Sequence, residues 1–260
     1  MNWQDEYQVS INAGLRWRID YLCLELYRQK KEWLVCWDND VTEPHGEPLV
    51  ETLAEGCNPS GDCKHERYVV KSTTSRVKLG TRTADRSVVA RPRDPFILPS
   101  DEQATLFVTT PLWLEVYIDS PPRLLKGFPV RRLSDTWFGP SLLAGDLCYD
   151  SRTRAVLELE QVEYRPSRII TPLVIHNQAE TPLTLERVQL PVPLLSIYRA
   201  ENGRLWTEQL TLTREEDGEM AALKIGSSAP SQAVKAHKVA EPREASPKNT
   251  LIRAFGGLFN

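Results

Sequence analysis

Residues 15–37 read LRWRIDYLCLELYRQKKEWLVCW, and their spacing decides the fold class. Leu15, Trp17 and Ile19 alternate with Arg16, Arg18 and Asp20. That period of two places one side of a β-strand in a core and the other toward water. Alternation continues through Leu22, Leu24, Leu26 and Tyr27, meets the polar run from Arg28 to Lys31, and resumes at Trp33, Val35 and Trp37. The pattern is a hairpin, closed by Asp38-Asn39-Asp40.

Outward from this hairpin the same grammar recurs. Residues 41–62 carry Pro44, Gly46, Pro48, Gly56, Pro59 and Gly61, and read as a loop excursion. Strands are expected at 66–72, 86–91, 104–110, 112–118 and 154–164. Residues 169–190 read IITPLVIHNQAETPLTLERVQL, two apolar strands around a polar turn. Asn202-Gly203 predicts a type I′ hairpin turn, and Asp217-Gly218 repeats the signal. Turns every 8–12 residues or so predict an all-β chain: an antiparallel β-sandwich, immunoglobulin-like or jelly-roll-like, built as two packed β halves with a flexible C-terminal tail.

Composition agrees with that class. The chain has 260 residues, 41% hydrophobic and 26% charged, with a formal charge of −3. These values exclude wholesale disorder and a generally basic nucleic-acid binder, so no nucleic-acid partner is expected. Nineteen Pro against 13 Gly make most turns proline-set, and seven Trp suit a β-rich core or an aromatic recognition surface. The opening MNWQDEYQVS lacks the apolar stretch of a signal peptide, and no window nears 18 uninterrupted apolar residues. Five cysteines, an odd number at uneven spacing, suit free thiols in a reducing cytoplasm.

The Pro-rich step RPRDP at 91–95 suggests a boundary, giving β halves at 1–90 and 91–226. Residues 227–249 are Ser-, Ala- and Pro-rich without an aromatic, and read as a flexible linker. Residues 250–260 read TLIRAFGGLFN, with Leu251, Ile252, Phe255, Leu258 and Phe259 at the spacing of one helical face. This segment is expected to dock on a protein partner, ahead of an anionic membrane surface or its own fold. Residues 227–260 carry a charge of +3 against −6 for the rest.

Chemistry-bearing motifs are sparse. Cys57, Cys63 and His65, with His45 upstream, come nearest to a metal site. Their Cys-x5-Cys-x-His spacing departs from the usual structural zinc pattern, so no metal and no cofactor are expected. No nucleophile elbow or phosphate-cradling loop is present; His176 reads as structural and Asp38/Asp40 as turn residues. The most unusual stretch is Ser134-Asp135-Thr136-Trp137-Phe138-Gly139-Pro140. Two large aromatics before Gly-Pro imply a turn that places them at one end of the sandwich. Asp135, Trp137, Phe138 and Tyr149 form a candidate ligand or interaction loop, with Asp146, Arg152 and Arg154 nearby.

Three runs, SDTWFGPSLLAGDLCYDSRTRAVLELE at 134–160, ITPLVIHNQAETPLTLERVQLPVPLLSIY at 170–198 and RLWTEQLTLTR at 204–214, resemble an uncharacterised archaeal and bacterial family, a domain of unknown function. The resemblance is most specific at Thr136-Trp137-Phe138-Gly-Pro and Leu147-Cys148-Tyr149, and covers most of residues 5–226; the linker and tail lie outside it. Members of that family are often encoded beside, or joined to, small-conductance mechanosensitive channels. The resemblance therefore implies a channel as partner and no catalytic residues. Two function classes follow. The first is a non-enzymatic accessory or interaction protein, cytoplasmic and touching the inner membrane only through its partner or tail. The second is a small-ligand-binding protein or metal-dependent enzyme using the Trp137/Phe138 end.

Overall fold

The computed structural model describes residues 3, 5–57, 59, 63–141, 143–245 and 250–256. Two units emerge, Met1–Thr81 with Trp113–Arg132, and Arg82–Leu112 with Leu133–Asn260. The chain thus passes between them three times. The boundary expected near residue 90 falls inside the strand Val88–Pro92 of the second unit, where Val89 and Ala90 are buried.

Among the described residues of the first unit, a five-stranded antiparallel sheet runs in the order Leu49–Leu53, Gly14–Ile19, Leu22–Arg28, Glu32–Asp38, Lys64–Val69. The alternation of residues 15–37 maps directly onto its two faces. Val50, Trp17, Leu24 and Trp37 line up across four strands on one face. Glu51, Arg16, Glu25, Cys36 and His65 line up across all five on the other. The apolar face meets a second sheet of Glu6–Gln8, Arg76–Arg82, Trp113–Ile118 and Arg123–Pro129. Tyr7 stands edge-on to Trp17 at 6.1 Å between ring centres, and Phe128 lies 5.0 Å from Trp37.

Two expectations change here. The apolar run is two strands, because Asp20 adopts φ +50° and turns the chain before Leu22. An Asp tolerates this left-handed conformation better than most residues. The proline-rich excursion also contains a strand, Leu49–Leu53, which fits the free edge of Gly14–Ile19.

The second unit holds, among its described residues, an eight-stranded sheet. Its path is His237–Ala240, Ile197–Arg199, Leu205–Trp206, Arg168–Asn177, Leu210–Arg214, Met220–Ile225, Thr250–Arg253, with Glu102–Pro111 also paired to Arg168–Asn177. A five-stranded sheet runs Asp135–Ser141, Ala144–Ala155, Val88–Pro92, Arg187–Leu190, Phe255–Gly256, and Phe96–Leu98 pairs with Leu183–Leu185. The described chain is all-β, its only helical pieces being the single 3₁₀ turns Leu159–Gln161 and Val192–Leu194.

Several local expectations are corrected in this unit. Residues 169–190 do not fold on themselves. Arg168–Asn177 pairs antiparallel with Glu102–Pro111 and parallel with Leu210–Arg214, while Leu183–Leu185 joins Phe96–Leu98. Burial on both faces of Arg168–Asn177 selects distant partners over the near one. The strand expected over 154–164 stops at Ala155 and gives way to a 3₁₀ turn. At Asn202-Gly203 only Gly203 takes positive φ, +81°. Gly203 N–H donates to Ala200 O at 2.9 Å, which makes a type I turn with a glycine bulge rather than a type I′ turn.

The C-terminal expectations are corrected too. Within 227–245 the chain is not a free linker. His237–Ala240 pairs with Ile197–Arg199, and Ala233 is buried in a cluster with Phe107, Tyr198 and Trp206. Residues 250–256 are strands, not a helix. Thr250–Arg253 pairs with Met220–Ile225 and Phe255–Gly256 with Arg187–Leu190. A seven-residue helix is marginal in water, whereas two open sheet edges satisfy the same backbone groups.

Candidate functional site

The hairpin of Asp135–Ser141 and Ala144–Ala155 positions the candidate residues. Asp135 is opposite Tyr149, Thr136 opposite Cys148, Trp137 opposite Leu147 and Phe138 opposite Asp146. The expected turn at Trp137-Phe138 is instead a strand, with a register shift between Phe138 and Ser141. A Cβ on Gly139 would collide with the Ala144 carbonyl, and one on Gly145 would stand 2.6 Å from the Phe138 carbonyl oxygen. Two glycines thus allow the crossing that lets the aromatics remain in a strand.

Strand alternation separates the two aromatics. Phe138 packs with Val89 and Cys148 in a buried cluster. The Arg187 guanidinium lies 5.1 Å from the Phe138 ring centre and donates to the Trp137 carbonyl at 2.5 Å. Arg187 is 5% exposed, and burial, then the nearby Arg91, lowers its pKa. Phe138 is therefore a core side chain, not a ligand-facing one.

Trp137 belongs to the other face, half-buried, with its indole N–H donating to Ser141 O at 2.8 Å. Its neighbour Leu147 is 51% exposed, and Leu143 at the hairpin tip is 98% exposed. Asp135 and Tyr149 share this face and are bound together through Arg86. That guanidinium lies 4.3 Å over the Tyr149 ring and 3.2 Å from Asp135 Oδ1. Tyr149 donates to Asp85 Oδ1 at 2.9 Å; burial, then this bond, pushes its phenol up to about 12. Burial, then Asp146, pushes the Cys148 thiol up to about 11, which makes it inert. Arg152 donates to Ser134 Oγ, and Asp150 pairs with Arg91.

The tail comes close to this hairpin. A cleft of about 340 Å³ is lined by Asp146, Gln189, Met220, Leu251 and Ile252, among others. Leu251 is 65% exposed, Ile252 half-buried and Phe255 2% exposed, opposite Val188. Phe255 is thus spent inside its own sheet; Leu258 and Phe259 lie outside the described residues.

The cysteine and histidine candidates lie in the first unit. Cys57 and His65 are exposed and Cys63 half-buried, and no cluster of three or more ligating side chains that could hold a metal occurs among the described residues. His176 is half-buried mid-sheet between Gln103 and Thr213. Asp38 accepts the Asp40 N–H at 3.0 Å, an ordinary turn contact.

Sequence reasoning singled out this stretch, as a turn, but missed Arg86, Arg187 and Gln189, which reach it only through tertiary pairing. Alternation within residues 135–138 was the available signal that Trp137 and Phe138 face opposite ways.

The fold and this hairpin define an all-β protein with an apolar-tipped edge. The family described as Protein of unknown function (DUF432) matches residues 3–260, so the chain belongs to it. The match includes the C-terminal segment, which corrects the expectation that linker and tail fall outside the family. No curated protein and no solved structure matches the chain. Among the described residues no helix is long and apolar enough to cross a membrane.

Proposed function

We propose that this chain is a non-enzymatic interaction protein that binds an extended segment of a protein partner along the outer edge of Asp135–Ser141. The observation that carries this reading is a terminal strand, Asp135–Ser141, that bears the half-buried Trp137, with the exposed Leu147 opposite it on the adjoining strand and the exposed Leu143 at the hairpin tip. An edge strand offers a row of backbone donors and acceptors to an incoming strand, and flanking apolar side chains add affinity and selectivity. Thr250–Arg253 is the terminal strand of the eight-stranded sheet and carries the exposed Leu251. The family resemblance noted in the sequence supports a small-conductance mechanosensitive channel as that partner. The protein then works as its cytoplasmic accessory subunit, reaching the inner membrane through the channel.

The test is co-expression of tagged chain with such a channel, detergent extraction and affinity capture. Wild type is expected to retain the channel, and the Leu143→Asp/Leu147→Asp double variant to retain at least about tenfold less. Equal retention overturns the hairpin edge as the docking element; no retention by wild type overturns the channel as partner.

A second reading is small-ligand binding in the cleft between the hairpin and the tail strand. Supporting it, Gln189 lines that cleft, is 8% exposed, and its Oε1 has no hydrogen-bond partner among the described residues.

A further inference from the structure

On the face of the five-stranded sheet away from the tryptophan core, Cys36 is fully buried between Glu25 and His65 in the row described above. Cys63, two residues before His65, packs against the cluster of Tyr27, Cys36 and Leu53, and its thiol is hydrogen-bonded to that of Cys36. In a regular antiparallel ladder such diagonal positions have Cβ atoms about 7 Å apart. Cys63 lies just outside Lys64–Val69 and is not held to that spacing. Alongside opens a cleft of about 470 Å³ lined by Tyr27, Leu34, Glu55 and the exposed Cys57. Two thiols in contact, one buried and one half-exposed, thus stand beside an open cleft.

We propose that Cys36 and Cys63 form a reversible dithiol–disulfide pair oxidised by a hydroperoxide. The Cys63 sulfur attacks the peroxide oxygen, the O–O bond breaks, and Cys63 becomes a sulfenic acid while the peroxide leaves as an alcohol or water. The Cys36 sulfur then attacks the Cys63 sulfur. The S–S bond forms, the S–O bond breaks, and the hydroxyl leaves as water with the Cys36 proton. Two electrons pass from the two sulfurs to the peroxide oxygens, and a dithiol reductant reverses the change. The order of attack follows from burial. Desolvation, then the Cys63 contact, pushes the Cys36 thiol up to about 12 and denies it the first step. The bond ties Glu32–Asp38 to the chain entering Lys64–Val69, and closes the 36–63 loop that carries Cys57.

The test treats the full chain with a small molar excess of hydrogen peroxide, followed by peptide mapping under non-reducing conditions. The expected result is a Cys36–Cys63 linked peptide, a fall in free thiols from the chain's five to three, and recovery of all five with dithiothreitol. Cys57→Ser should form the same link to the same extent, and Cys63→Ser should leave Cys36 reduced. A Cys57–Cys63 link in wild type overturns the proposal, as does a reduced Cys36 at doses that carry Cys57 to sulfinic acid. Wild-type mapping alone decides the matter if Cys63→Ser does not fold.

Discussion

Arg214 Nη1 donates to Asn177 Oδ1 at 3.0 Å, and the two residues face each other across parallel strands. Asn177 is fully buried, and its Nδ2 donates to the carbonyls of Leu98, Pro99 and Thr181, each at 3.0 Å. The Arg214 guanidinium, 5% exposed, also donates to Thr181 O and pairs with Asp217. One side chain thus ties the end of Arg168–Asn177 to the end of Leu210–Arg214, to residues 98–99 and to the loop that leaves the strand.

Removing that side chain leaves buried donors and acceptors unmatched, which costs more than the bonds themselves contribute. Asn177→Ala is expected to lower stability by about 3 kcal/mol, read as a shift in urea midpoint at constant m-value. A shift equivalent to less than about 0.5 kcal/mol would show that the network is dispensable.

Gly203 holds φ +81° in its turn. Gly203→Val forces a β-branched side chain into the left-handed region and is expected to cost on the order of 1 kcal/mol or more. A neighbouring Asn202→Ala change is expected to cost less, since Asn202 is not among the positive-φ residues and only its side chain accepts the Arg204 N–H, at 3.1 Å. Equal melting temperatures for wild type and Gly203→Val sink the turn assignment.

At the candidate hairpin the same logic makes Gly139 sensitive and Leu143 tolerant. Gly139→Ala drives a methyl into the Ala144 carbonyl and is expected to cost about 2 kcal/mol. Leu143→Asp, 98% exposed, is expected to stay within about 0.5 kcal/mol of wild type. Comparable losses in both variants would contradict the hairpin geometry.

Tyr149 gives a pH prediction. Its folded phenol titrates near 12, above the ordinary value of 10.0, because burial and then Asp85 disfavour the phenolate. The raised pKa means that this contribution is complete below about pH 10 and is lost as pH rises through about 12. Tyr149→Phe should therefore differ from wild type in stability at about pH 9 and converge on it at about pH 12. A gap that stays constant across that range contradicts the raised pKa.

The alternation of residues 15–37 was enough to read strands and a core face, because a period of two is a local property. Pairing partners were not legible in the same way. The Asn-Gln-Ala-Glu-Thr-Pro segment looks like a hairpin turn by composition. Yet Arg168–Asn177 is buried on both faces and takes Glu102–Pro111 and Leu210–Arg214 as neighbours. The tail misled for a related reason. Leu251, Ile252 and Phe255 fit a helical face, but the same residues also fit two short strands bent at Ala254. Which one forms depends on whether a sheet edge is waiting, and no window of eleven residues contains that information.

The bend at Ala254 sends one continuous segment to the outer edge of two different sheets. Residues 250–256 are also synthesised after every other described strand of both sheets. On the ribosome, the edge of Met220–Ile225 and the site that receives Phe255 beside Val188 stay uncovered until these residues emerge. A nascent second unit is therefore held open to chaperones or to pairing with other chains, and both edges close together when one short stretch arrives.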